Sequence, residues 1–208
     1  MPKPKAPRKI IRQELLWPTP YWHTHIWDFM RSKTRVTFNE DFTNYILNEA
    51  ENKPSVIKSN RGGWQSETIH PTDENYKPLV EQITEFLKHL NLDIKGASIP
   101  QMWANVNKKG DWNIIHQHGT YTLSGTYYVK VPENGGRLTF RDPRPAAISN
   151  GFMVNKFDNG EFMNINLREG LLAIWPSYLD HFVEPSNSDE ERISISFDLL
   201  LRRYILKS

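Results

Sequence analysis

The sequence predicts a mainly β protein: a jelly-roll, cupin-like barrel with two N-terminal helices packed on one sheet. Three observations carry that expectation. From about residue 98 onward, short strand-like runs recur between turns rich in Gly, Pro, Asn and Asp, the pattern of a sandwich or barrel. Before that point, two stretches show helical apolar spacing. The 208 residues, 38% hydrophobic with 7 Trp, 8 Tyr and 10 Phe, suffice for one domain with a sizeable aromatic core and hardly for two.

The elements follow in order. Residues 1–12 hold Lys3, Lys5, Arg8, Lys9 and Arg12 and read as a basic flexible tail before a single domain over 13–208. Pro18 and Pro20 break any helix in LLWPTPYW, so residues 13–38 read as an extended or edge segment. In NEDFTNYILNEAEN, 39–52, Phe42, Tyr45, Ile46 and Ala50 share a helical face, with Asn39 placed to cap it. SNRGGWQSE, 59–67, reads as a loop from its glycine pair. DENYKPLVEQITEFLKHLNL, 73–92, is the clearest helix: Leu79, Val80, Ile83, Phe86, Leu87 and Leu90 form one stripe and Pro78 falls in the first turn. Strands are expected near 99–107, 112–118, 123–131, 137–141, 162–167, 171–176, 181–184 and 192–201, enough for two four-stranded sheets. The gap at 142–161, with Pro143 and Pro145, reads as a loop inserted near a site mouth.

Composition narrows the function classes. A net charge of +2 without a concentrated basic face argues against a nucleic-acid partner. The absence of Cys rules out disulfides, thiolate metal sites and a cysteine nucleophile, and suits a cytoplasmic protein. No run of ~18 apolar residues predicts a membrane span, and the N-terminal charges lack the apolar stretch of a signal peptide.

Chemistry concentrates in WNIIHQHGTYTLSGTYYV. Alternate strand residues share a face, so His116 and His118 project together, roughly 7 Å apart at the backbone. A third ligand is needed. His23 and His25 repeat the His-x-His pattern in YWHTHIW, but that stretch reads as an aromatic structural segment. His89 reads as a helix-boundary residue and His70 as a loop residue. His181 opens HFVEP just after a strand ending at Pro176, and Arg192 and Ser194 share one face of the final strand, opposite Ile193 and Ile195. An arginine pointing into an apolar barrel needs an anion. His116, His118, His181, Arg192 and Ser194 together therefore point to a metal beside a keto-acid clamp, and imidazole and oxygen ligands with open positions suit non-haem Fe(II). Asn105, Thr126 and Tyr128 stand on neighbouring strands as further contacts for the keto acid. Trp103, Trp112, Tyr127 and Trp175 read as core, and Arg141, Asp142 and Arg144 as ion pairs holding a mouth loop.

These residues resemble the 2-oxoglutarate- and Fe(II)-dependent dioxygenases, and more narrowly an oxygenase family of marine bacteria and cyanobacterial phages. The resemblance rests on WANVNKKGDWNIIHQHGTYTLSGTYYVKVPENGGRLTFRDPRP and GLLAIWPSYLDHFVEPSNSDEERISISF, and less specifically on LLWPTPYW and SNRGGWQS. It implies a double-stranded β-helix with His116 and His181 as metal ligands and Arg192, completed by Ser194, on the distal carboxylate of 2-oxoglutarate. It implies no catalytic residue beyond the metal site, with Fe(II) as cofactor, and 2-oxoglutarate and dioxygen as small-molecule partners of a hydroxylase whose primary substrate is unknown. A phage-encoded member would work in the host cytoplasm. His118 departs from the pattern, because the wider superfamily has a carboxylate there. Three readings follow: His118 ligates; Asp180 or Asp142 supplies the carboxylate; or the position stays open to a halide or another oxygen ligand. Two rival functions also follow from the residues: a cupin-like metalloenzyme with a three-histidine site that does not use 2-oxoglutarate, and a non-catalytic barrel acting as a binding module. An exposed barrel edge could pair two copies as a homodimer.

Overall fold

Two antiparallel sheets face each other across the site, and the helices cover the outer face of the larger one. This computed structural model describes residues 19–28, 32–90, 92–144, 146 and 161–206. The basic tail and, within the 142–161 segment, residues 145 and 147–160 lie outside the described residues. The first sheet has six strands: β1 (Trp22–His25), β3 (Trp64–Gln65), β4 (Leu92–Asn107), β6 (Leu123–Lys130), β9 (Leu171–Pro176) and β11 (Arg192–Leu206). The second has five: β2 (Asn60–Arg61), β5 (Trp112–His116), β7 (Leu138–Arg141), β8 (Phe162–Ile165) and β10 (His181–Val183). Their orders are β1-β9-β6-β11-β4-β3 and β2-β5-β10-β7-β8.

The period-2 alternation read from the sequence decides what each face of the large sheet holds. Met102, Ala104, Val106, Tyr127, Leu172, Ile174, Ile193, Ile195 and Phe197 turn outward into one apolar cluster. There they meet Phe38, Phe42 and Ile46 of α1 (Ser32–Asn52) and Leu79, Ile83 and Phe86 of α2 (Lys77–His89). The alternate residues Trp103, Asn105, Thr126, Tyr128, Trp175, Arg192, Ser194 and Ser196 turn inward and line a cavity. The expected helices therefore do lie on one sheet. Among the described residues no helix is long and apolar enough to cross a membrane.

Several local expectations change. α1 begins at Ser32 rather than near 39. Asn39 is therefore no cap: its amide donates to the Val129 carbonyl at 2.8 Å, and its side-chain oxygen accepts from the Tyr127 hydroxyl at 2.5 Å. α2 is shorter than 73–92, starting with Pro78 in its first turn and ending at His89. β5 stops at His116, which leaves His118 just beyond the strand. The stretch 59–67 is not simply a loop. Its arms β2 and β3 join different sheets, pairing with β5 and β4, and Gly62 and Gly63 turn the corner between them at φ +68° and +66°. With β1 added, these short strands make the sheets six and five rather than four and four.

Candidate metal and cosubstrate site

The small sheet brings two of the histidines together by register alone. β10 pairs with β5 so that His181 lies opposite His116. His118 comes back to them from the segment after β5, where its backbone N–H donates to the Ser177 carbonyl at 2.8 Å. The ring centroids are 4.4 Å apart for His116–His181, 5.1 Å for His116–His118 and 5.2 Å for His118–His181. One ring nitrogen from each lies within 4.8 Å of the others, a spread that one ion can bridge.

The outer hydrogen bonds decide which nitrogen faces inward. His116 Nδ1 lies 2.7 Å from the Ile114 carbonyl and His181 Nδ1 lies 2.9 Å from the Leu179 carbonyl. His118 Nδ1 lies 2.7 Å from Asp198 Oδ1. The carbonyls and the carboxylate only accept, and the Ser124 hydroxyl, 3.1 Å from His118 Nδ1, donates its own proton to Asp198, so Nδ1 carries the proton in each ring and Nε2 keeps its lone pair. Burial pushes the pKa of His116 down, opposed by its bond to the Ile114 carbonyl. Burial, and then the neighbouring His116, pushes His181 further down. Both are thus held as neutral imidazoles, the ligating form.

Across the cavity stands Arg192, 1% exposed. Cross-strand register sets Ser194 between Asn105 on β4 and Tyr128 on β6, and Ser196 beside Thr126. Nη1 of Arg192 donates to the carbonyls of Gly135 and Glu184. Among the described residues its buried Nη2 has no partner. Burial lowers the pKa of this guanidinium, and it pushes the neighbouring Tyr128 up to about 12. The cavity therefore holds a desolvated cation with a free donor, beside the amide and hydroxyls of Asn105, Ser194 and Thr126. That donor set fits a carboxylate. Trp175 also lines this cavity, and among the described residues its buried indole N–H has no partner.

His116 and His118 also line a second, open cleft of about 940 Å³, with Trp103, Ile114, Gln117, Tyr121, Gln65 and Gln101. His116 and His118 thus border both the inner cavity and the outer cleft, and His181 the inner cavity alone.

The structure brings together all the residues expected at the metal and clamp. It does not bring in Asp180 or Asp142 as a carboxylate: neither joins the cluster of potential ligands, and Asp142 is held by Arg144 Nη2 at 2.6 Å. Arg141 pairs with Glu161 at 2.8 Å, so the expected ion pairs form among the described residues at the two ends of the 142–161 segment. Of the aromatic residues expected in the core, Tyr127 and Trp175 are buried in apolar clusters, Trp175 with one face on the site, whereas Trp103 lines the site and Trp112 is 37% exposed. His23 and His25 lie on β1, away from the cluster. The sequence reading missed Asp198. The signal was present: Arg192, Ser194, Ser196 and Asp198 are successive residues of one strand face.

Residues 101–198 match the model of a family described as "Putative 2OG-Fe(II) oxygenase". No curated protein matches the chain. Among solved structures, a prolyl-4-hydroxylase from Pseudomonas putida is 15% identical, with 89% of this chain and 93% of that chain covered and a TM-score of 0.56. The α-ketoglutarate-dependent epimerase SnoN of nogalamycin biosynthesis is 11% identical, with 89% and 79% covered and a TM-score of 0.66. HygX from Streptomyces hygroscopicus, solved with nickel and 2-oxoglutarate bound, is 9% identical, with 87% and 82% covered and a TM-score of 0.60. At these identities the structures share the fold, the double-stranded β-helix. The family match covers 98 of the 208 residues, and that stretch holds all three clustered histidines, Arg192 and Asp198.

Proposed function

We propose that the protein is a hydroxylase in which His116, His118 and His181 hold Fe(II) through Nε2, and Arg192, with Ser194, Asn105, Thr126 and Tyr128, holds 2-oxoglutarate. The observation that carries this reading is the orphaned Nη2 of Arg192, a buried cationic donor lining the same cavity as the three imidazoles. A keto acid has the matching shape: a distal carboxylate for the guanidinium, and at its other end oxygens for a metal.

When bound, the iron and keto acid together supply the activation of dioxygen, one oxygen atom going to succinate, with loss of CO₂, and the other to a C–H bond of the substrate. The chain's own residues prepare that chemistry. The carbonyls of Ile114 and Leu179 and the carboxylate of Asp198 fix the three tautomers. Arg192 fixes the end of the cosubstrate remote from the metal, so the keto acid has one orientation. The apolar wall of Leu138, Phe140, Trp175 and Leu179 keeps water from behind the site. The outer cleft, lined by Trp103, the amides of Gln65, Gln101 and Gln117, and the charged Lys58 and Glu67, receives the substrate beside His116 and His118. The narrower kinship, with oxygenases of marine bacteria and cyanobacterial phages, rests on the motifs at 103–145 and 170–197.

Anaerobic titration tests the reading. Protein with Fe(II) and 2-oxoglutarate should develop the weak visible charge-transfer band of a chelated keto acid. Arg192→Ala should bind the metal as before but raise the Kd for 2-oxoglutarate at least ~30-fold, the equivalent of losing about 2 kcal/mol from a buried charge pair. A wild-type protein that takes up iron but shows no band would favour a three-histidine enzyme that does not use 2-oxoglutarate.

A further inference from the structure

We infer that Asp198 is a positioning residue for His118, and that its carboxylate, one hydrogen bond removed from the metal, supplies the negative charge that three neutral imidazoles withhold from it. This rests on the ligand set proposed above. Asp198 is 0% exposed. A carboxylate so buried requires compensation, and among the described residues no lysine or arginine pairs with it. Its hydrogen-bond partners are instead Ser124 Oγ at 2.6 Å and His118 Nδ1 at 2.7 Å, both on Oδ1, and Gln101 Nε2 at 2.6 Å on Oδ2. Ser124 also meets Ser177 Oγ at 2.8 Å, and the Ser177 carbonyl accepts the backbone N–H of His118. Ring and backbone of His118 are therefore both held by one buried network.

The three histidines are not equivalent in this respect. His116 and His181 turn Nδ1 to backbone carbonyls, which carry no net charge. His118 alone among them turns Nδ1 to a carboxylate. A divalent ion held by three neutral rings keeps its full +2, and a carboxylate hydrogen-bonded to one ring makes that ring a stronger donor and returns part of the missing charge. His118 lies beyond the end of β5, so strand geometry does not orient its ring. Asp198 does, from the far sheet.

The test compares wild type, Asp198→Asn and Ser124→Ala for metal affinity and for the Fe(III)/Fe(II) midpoint potential, with 2-oxoglutarate absent. Asp198→Asn keeps the shape and removes the charge. It should weaken Fe(II) binding ~10–100-fold and shift the potential upward, because the oxidised ion loses more than the reduced one. Ser124→Ala removes a donor that draws on the same carboxylate oxygen. It leaves more of that charge to His118, so it should shift the potential downward while affinity holds. A network that only shapes the fold would move the potential in neither variant. A folded Asp198→Asn protein with wild-type affinity and potential overturns the inference, as does Ser124→Ala with an unchanged or raised potential. If wild-type protein binds no metal, it is the ligand set that fails.

Discussion

Arg192 shows how one residue can report the ligand a cavity is built for. Its guanidinium is stripped of water, Nη1 is satisfied by two carbonyls and Nη2 is not. A buried cation without an anion opposes folding, whereas an apolar side chain of similar length does not. Arg192→Met should therefore leave the melting temperature of cosubstrate-free protein unchanged or higher. The same substitution should abolish the stabilisation that 2-oxoglutarate gives the metal-loaded wild type, which at 100 times Kd is about 2.7 kcal/mol, or roughly 5–10 °C for a chain of this size. Thermal melts with and without the keto acid measure both. A methionine variant that melts well below wild type in its absence would make Arg192 a structural residue. Residue-scale chemistry of this kind was partly legible in the sequence. His116, His181, Arg192 and Ser194 are found from spacing because they sit on paired strands. Asp198 shares the face of Arg192 and Ser194, but its role depends on His118, 80 positions away along the chain, and that pairing no spacing displays.

At the scale of elements, alternation made the long strands readable, since each has one apolar face toward the helices and one polar face toward the cavity. What spacing could not show was pairing that depends on partners far along the chain. β2 and β3 have two residues each, too few to display a period. The start of α1 was obscured by Thr34, Val36 and Thr37, residue types that favour strands. Tertiary packing overrides that preference, with Phe38 edge-on to Phe42 and to Tyr127 of β6. The Gly62–Gly63 corner is where an element-scale substitution should be felt, because it passes the chain from one sheet to the other. A Cβ on Gly63 would lie 2.9 Å from the Val106 carbonyl and 2.9 Å from Asn107 Nδ2, at a φ that side chains rarely adopt. Gly110 has φ +85° and open space around it. Gly110→Ala should thus cost only the backbone term, about 1–2 kcal/mol, and Gly63→Ala measurably more in denaturant unfolding. Equal losses would mean that the corner yields without strain. Because β3 carries Gln65, which lines the cleft, Gly63→Ala should also impair substrate handling more than metal uptake.

For the molecule as a whole, the arrangement sets a polar, histidine-bearing cavity between two sheets whose stability comes from the apolar cluster on the other face of one of them. The cavity is then a place where folding and function oppose each other, and pH exposes the opposition. His116 and His181 have folded-state pKa values lowered chiefly by burial, His181 the more strongly. In the unfolded chain both titrate near 6.5. Below that pH the unfolded chain takes up protons that the folded chain refuses, so folding stability falls as pH falls, until the lowered folded-state values are reached. Metal-free protein should accordingly lose stability between about pH 6.5 and 5, on the order of 1 kcal/mol per pH unit for each histidine. The Asp142 carboxylate, lowered by its bond to Arg144, adds its own loss only at lower pH. Bound metal requires the same neutral rings, and the folded chain already keeps His116 and His181 neutral over this window, so metal-loaded protein should melt higher but lose stability with acid in parallel with metal-free protein until the lowered folded-state values are reached. The measurement is a series of melts from pH 7.5 to 5 on metal-free, metal-loaded and His181→Leu protein. The leucine variant, with no imidazole to protonate at that position, should give the flattest curve of the three. A metal-free wild type as flat as the variant would mean that His181 takes up a proton in the folded state, and that its ring is not held neutral for a metal.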